Sequence, residues 1–217
     1  MTDAAVANQA RASCLSRLGR LVLAVVVALP LGAQAAAPSA AVAKAEQQVA
    51  AIDARSKERA PLRERPLDGF ASEGARVVAW GAPGAIEKIS VEGLGERGRV
   101  LLDFYLQRGQ LVAARSRRLD YGAHIMELPK DKPTPMTVVE DEWLEFAGDR
   151  VLRRRELDRE LPAGDASARQ RASELRASAR AFRRLVDAPE PPPAQRGSCA
   201  WSCALEQRGE CMRYRCR

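Results

Sequence analysis

Residues 99–118 read R-V-L-L-D-F-Y-L-Q-R-G-Q-L-V-A-A-R-S-R-R. Val100, Leu102, Phe104 and Leu106 fall at every second position, which in an extended chain puts them on one face. Leu111 and Ala113 continue that face after Arg108-Gly109, where glycine supplies the positive φ of a two-residue hairpin turn. With those two residues as the loop, Gln107 faces Gln110, Leu106 faces Leu111 and Phe104 faces Ala113. The other face carries Leu101, Asp103, Tyr105, Val112, Ala114 and Ser116. One face is the more apolar, the pattern of an antiparallel sheet covered on one side.

Neighbouring segments extend the sheet. Residues 76–80 form an extended run closed by Gly81, Pro83 and Gly84, and residues 86–91 form another before Gly93, Gly95 and Gly98. Pro129, Pro133 and Pro135 mark residues 122–136 as a loop. Residues 137–146 and 151–157 read as a second hairpin around Gly148-Asp149. That loop would set Glu142 opposite Arg155 and Trp143 opposite Arg154, and a cross-strand Glu–Arg pair contributes about 0.2–1 kcal/mol. The expected core is an antiparallel meander of about five or six strands.

Two helices flank these strands. Val42, Ala45, Val49, Ile52 and Ser56 recur at 3,4,3,4 spacing after Ser39, a suitable N-cap, and Pro61 and Pro66 end the segment. Ala168, Ala172, Leu175, Ala179, Phe182 and Val186 form a second stripe, opened by Asp165 as N-cap. The stripe is rich in alanine, which suits close approach to another element. The opposite side carries Arg169, Arg171, Arg176, Arg180, Arg183 and Arg184 and reads as a solvated face. The fold class is therefore α+β, with the N-terminal and C-terminal helices set against the sheet.

Residues 1–35 read as a cleavable signal peptide. Arg11, Arg17 and Arg20 precede an apolar run over residues 21–33, and Ala33-Gln34-Ala35 is a small-x-small cleavage site. The run is shorter than the roughly 20 residues of a membrane-spanning helix. Cys14 lies ahead of the run and would leave with the signal. Cleavage removes three Arg and one Asp, taking +2 from the net charge of +7. Of 35 basic residues 30 are Arg, and with so much Ala this reflects a coding bias, which weakens Arg as a sign of nucleic-acid binding. The expected divisions are residues 1–35 (signal), 36–66 (N-terminal helix and connector), 67–162 (sheet), 163–188 (C-terminal helix) and 189–217 (Pro-rich linker and cysteine tail).

The tail holds Cys199, Cys203, Cys211 and Cys216. An even number of cysteines in an exported chain favours two disulfides. If the two pairs lie on helical turns joined near Gly209, geometry favours Cys199 with Cys216 and Cys203 with Cys211. Zinc is the rival, but the spacings fit it loosely and no histidine joins them.

An order of short motifs resembles a family of uncharacterised small exported bacterial proteins. A helix ending I-D-A-R leads to D-G-F-A-S-E-G at 68–74, I-E-K-I-S-V-E-G-L-G-E-R-G-R at 86–99, D-F-Y-L-Q-R-G-Q-L-V at 103–112 and E-D-E-W-L-E-F-A-G-D-R-V-L-R at 140–153. The resemblance implies a periplasmic protein with a meandering sheet. It supplies no catalytic or binding residue, and it does not reach the tail.

Catalytic chemistry is thinly represented. His124 is the one histidine, beside Tyr121, and no nucleophile motif lies near it. Gly95 and Gly98 precede a strand, whereas a phosphate-binding loop opens a helix. Glu140, Asp141 and Glu142 alternate across a strand and can be neutralised by Arg153, Arg154 and Arg155. The expected function is non-enzymatic: a structural, binding or envelope-maintenance role in a periplasmic or secreted protein. An inhibitor or binding module for a secreted or envelope hydrolase is the alternative, and an enzyme of unknown class ranks third. The reading assigns no catalytic residue, metal or cofactor. It gives an envelope protein as partner, no nucleic acid, and membrane contact only through an uncleaved signal.

Overall fold

The computed structural model describes residues 39–128 and 134–189, together with the backbone of residues 199–202 and 213–216. The expected signal segment, Cys14, Cys203 and Cys211 lie outside the described residues.

Helix α1 (Ala40–Glu58) opens on Ser39, whose hydroxyl accepts the Val42 N–H, and buries Val42, Ala45, Val49 and Ile52 as the periodicity predicts. Eight antiparallel strands follow: β1 (Arg63–Leu67), β2 (Ala75–Ala82), β3 (Ala85–Gly95), β4 (Gly98–Gln107), β5 (Gln110–Asp120), β6 (Thr137–Ala147), β7 (Arg150–Glu156) and β8 (Arg159–Leu161). They pair strictly in chain order, a simple meander. Helix α2 (Ala166–Asp187) starts at Asp165, whose carboxylate accepts the Ala168 N–H. A separate two-stranded ribbon joins β9 (Cys199–Ser202) to β10 (Arg213–Cys216), in place of the helical turns considered from sequence.

The sheet is larger than its sequence suggests. Strand β8 is only three residues long, and β1 contains Pro66, which read as a helix stop. Proline is tolerated in β1 because this is an edge strand, paired on one side only by β2.

Each face receives one helix. Phe104, Ile89, Val77, Val91 and Leu144 pack with α2, whose Phe182 ring lies 5.9 Å from Phe104 and 6.1 Å from Phe70. Tyr105, Val112 and Ala113 point the other way and pack with Val49 and Ile52 of α1 and with Trp143. The C-terminus of α2 is held by β1. Arg63 donates to the carbonyls of Val186 and Ala188, and Arg65 also donates to Ala188, placing cations where the helix carbonyls lack partners.

Three hairpins share one local device. In β2–β3, β4–β5 and β6–β7 a two-residue turn is followed by two paired positions and then one extra residue. The extra residues are Glu87, Val112 and Leu152, and each is a β-bulge that shifts the register beyond it. Phe104 therefore faces Ala114 rather than Ala113, and Ala113 joins the α1 side opposite Tyr105. Likewise Trp143 faces Arg155, and Glu142 faces Glu156 rather than Arg155. The β4–β5 turn has positive φ at both Arg108 (51°) and Gly109 (78°), the backbone of a type I′ turn.

Candidate functional site

The polar positions of the α1-side face assemble from adjacent strands. Ser90 on β3 donates to Asp103 on β4 at 2.5 Å, and Arg117 on β5 donates to the other Asp103 oxygen at 3.0 Å. Asp103 is buried, so these two donors supply the hydrogen bonds that water would otherwise give. One strand further, Arg115 grips Asp141 through two bonds of 2.8 and 2.5 Å. The guanidinium holds the Asp141 carboxyl below its usual range. Under α1, Asp53 accepts from Lys88 at 2.6 Å and from the Tyr105 hydroxyl at 3.2 Å. Burial, reinforced by Asp103 and Asp53, pushes the Tyr105 phenol far above its ordinary value and keeps it neutral. Glu145 is fully buried and accepts from Arg153 at 2.6 Å and from the Trp143 indole at 2.7 Å, while Arg153 also reaches Glu46 of α1. This array pairs charges from strand to strand and from the sheet to α1, while the buried Arg117 Nε, Arg153 Nε and Glu145 Oε2 atoms find no hydrogen-bond partner among the described residues.

The residues singled out from sequence go to separate places. His124 caps a short 3₁₀ turn (Ile125–Glu127) through Nδ1 and lies 3.2 Å from Glu96 through Nε2. Tyr121 is buried and accepts from Arg99. The acidic run divides: Glu140 pairs with Arg118, Asp141 with Arg115, and Glu142 with Arg154 and Arg171. From the Arg153–Arg155 run, Arg154 pairs directly with Glu142 and Arg155 adds a longer-range attraction to Asp141, while β5 and α2 supply the other ion-pair partners. The arginine side of α2 is likewise more engaged than a solvated face. Arg171 reaches Glu142, Arg176 lies over the Phe146 ring and donates to the Gly148 carbonyl, and Arg183 donates to the Gly109 carbonyl.

An open groove lies at the end of the sheet where the three bulged turns cluster. It measures about 900 Å³ and runs between α1, the β2–β3 turn and the β4–β5 turn, with Arg183 of α2 at its side. A second hollow of about 240 Å³ shares Leu106, Gly109, Gln110 and Arg183 with it and continues to Gly148 and Arg176. Six cations line the two, Lys44, Arg55, Arg108, Arg176, Arg180 and Arg183, against the carboxylates of Glu87 and Asp149. Glu87 is held by Arg55 through two bonds of 3.0 Å. Lys44, Arg108 and Arg180 are exposed and make no hydrogen bond or ion pair among the described residues. Four glutamines, Gln47, Gln48, Gln107 and Gln110, add neutral amides, and Gln48 donates to Gln107 at 2.6 Å.

Sequence reading did not find this groove, because its walls are far apart in the chain. A signal does exist. Ile86, Leu111 and Val151 each stand two residues past the turn glycine or aspartate of their hairpin, marking three equivalent turns at one end.

No protein-family model, curated protein or solved structure matches this chain. Among the described residues, no three His, Cys, Asp or Glu side chains gather as a metal site, and no helix is long and apolar enough to cross a membrane.

Proposed function

We propose that this chain is an exported, non-enzymatic binding protein of the periplasm or cell envelope, and that the groove at the turn end is its binding surface. The observation that carries the reading is that Lys44 and Arg108 line an open groove and Arg180 lines the hollow adjoining it, all three unpaired among the described residues. The polar face beside α1 has its carboxylates matched by cations, whereas the groove offers charge that a ligand can complete. The basic n-region, apolar run and cleavage motif of residues 1–35, with the motif order that resembles exported bacterial proteins, support the location. Pull-down from envelope extract is the test. A partner retained by the protein and lost with Arg108→Asn/Arg180→Gln supports the reading, and retention unaffected by both substitutions refutes it.

The inhibitor reading draws on a different surface. Met126 is 84% exposed, and Ile125, Met136, Val138 and Val139 are exposed near it in sequence. An apolar group of this kind suits a protein partner. A stable one-to-one complex with a hydrolase, lost on Met126→Asp but kept in the groove variant, would favour it.

The disulfide reading rests on four cysteines in the tail of an exported chain. The β9–β10 register sets Cys199 opposite Cys216, in agreement with a nested pairing. Intact mass of the purified protein is expected to fall short of the reduced value by two hydrogens for each bond; four free thiols would exclude it.

A further inference from the structure

We infer that the groove takes an anionic glycan, a chain of hydroxylated units bearing carboxylate or phosphate groups. This inference rests on the reading of the groove as the binding surface and adds the class of ligand. Three observations define the class. The first is charge: with Arg55 paired to Glu87 and Arg183 to Asp187, Lys44, Arg108, Arg176 and Arg180 remain against the single carboxylate of Asp149, a positive lining. A cleft lined by one sign of charge concentrates counter-charged ligands.

The second is length. The cations are spread from Lys44 and Arg55 on α1, past Arg108 at the β4–β5 turn, to Arg176 and Arg180 on α2. A single small anion would meet only part of that row, whereas a chain with repeated charges can meet it in register. The channel is also concave, bounded by helices and turns, which suits a chain better than the flat surface of a bilayer.

The third is the neutral chemistry between the charges. Gln47, Gln48, Gln107 and Gln110 present amides that both donate and accept, the capacity that hydroxyl groups require. The apolar part of the lining, Ala51, Ile52, Ala85, Ile86 and Leu106, gives a surface on which a sugar face can rest. Arg183 is fixed by the Gly109 carbonyl and Asp187, and Arg176 by the Gly148 carbonyl and the Phe146 ring, so two of the guanidiniums are already oriented. Pre-oriented forks lose less freedom on binding.

Arg108 gives the test unusual clarity. Its φ of 51° is one that asparagine tolerates better, so Arg108→Asn removes a groove charge while favouring the turn. Loss of binding in that variant therefore does not arise from loss of fold. The experiment is calorimetric titration of the purified protein with a galacturonic acid trisaccharide, with maltotriose, with inorganic phosphate and with phosphatidylglycerol vesicles. The acidic trisaccharide is expected to bind, with affinity falling as salt is raised. Arg108→Asn and Arg180→Gln should each weaken it about tenfold, the scale of one charged hydrogen bond, with a thermal midpoint equal to or above that of the parent. Maltotriose binding as tight as the acid would overturn the role of charge. Phosphate binding as tight as the trisaccharide would overturn the glycan, and vesicle binding without trisaccharide binding would move the ligand to the bilayer. If no glycan binds while an envelope partner is still captured through Arg108 and Arg180, the ligand class is wrong and the groove remains the binding surface.

Discussion

On the α2 side of the sheet, Val77, Ile89, Phe104 and Leu144 are fully enclosed beneath Phe182, Leu185 and Val186. On the α1 side the apolar cluster is smaller, Val49 and Ile52 against Tyr105, Val112, Ala113 and Trp143, with Val42 and Ala45 also buried along the helix. Much of the remainder is charge: Asp53 with Lys88, Glu46 and Glu145 with Arg153, Arg55 with Glu87. Apolar burial is non-directional and scales with area, so the α2 side supplies cohesion. Ion pairs add less net energy but depend on position, so the α1 side supplies register and helix placement, and it is also the side exposed to pH.

The sharpest test of that contrast removes a ring from the α2 side. Phe182→Ala is expected to cost about 3–5 kcal/mol in denaturant unfolding, as a large cavity does. Removing one partner of the buried pair comes next. Arg153→Met leaves Glu145 enclosed without its cation and should cost about 3 kcal/mol, whereas Glu145→Leu/Arg153→Met should recover at least half of that loss. A double variant no better than the single one would mean that the pair itself, not its balance, stabilises the fold.

Titration separates the faces further. The Asp141 carboxyl is held below its ordinary 3.8 by Arg115, so its contribution is present above that pH and is lost as pH falls through the lower folded value. Arg115→Gln should flatten the acid limb of a stability–pH curve. Tyr105 acts at the other end. Its phenol ionises in the unfolded chain near 10 but stays neutral when buried, so stability is full below that pH and declines above it. Tyr105→Phe should remove this alkaline decline, and an unchanged alkaline limb would place the titrating group elsewhere.

The smallest expected effect concerns one turn. Leu157 has φ of 52° in the β7–β8 connection and is half exposed, a conformation costly for a branched side chain. Leu157→Asn should raise stability by about 0.5–1 kcal/mol, measured as a shift in the unfolding midpoint.

Much of the fold was legible because it is local. The 3,4 spacings placed both helices and their buried stripes, and Ser39 and Asp165 cap them as expected. Arg108-Gly109 and Gly148-Asp149 lie between paired strands as expected. The register beyond each turn was not legible, because one extra residue leaves no mark in an alternating pattern until a partner strand is present. Val112 and Ala113 show this: both enter the same small core, which strict alternation forbids. The groove was hidden for a related reason. Lys44, Arg108 and Arg180 are each unremarkable in their own segments, and only the fold brings their positions to one end.

The meander order has a kinetic consequence. Every strand from β1 to β8 pairs with the strand next to it in the chain, so apart from the longer β5–β6 connection each hairpin closes a short loop at small entropic cost. The bond from Arg153 to Glu46, by contrast, spans 107 residues, and it can form only after β7 has found its place. Docking of α1 is thus expected late, after the rate-limiting barrier. Substitutions at Glu46 or Asp53 should accelerate unfolding while leaving the refolding rate nearly unchanged.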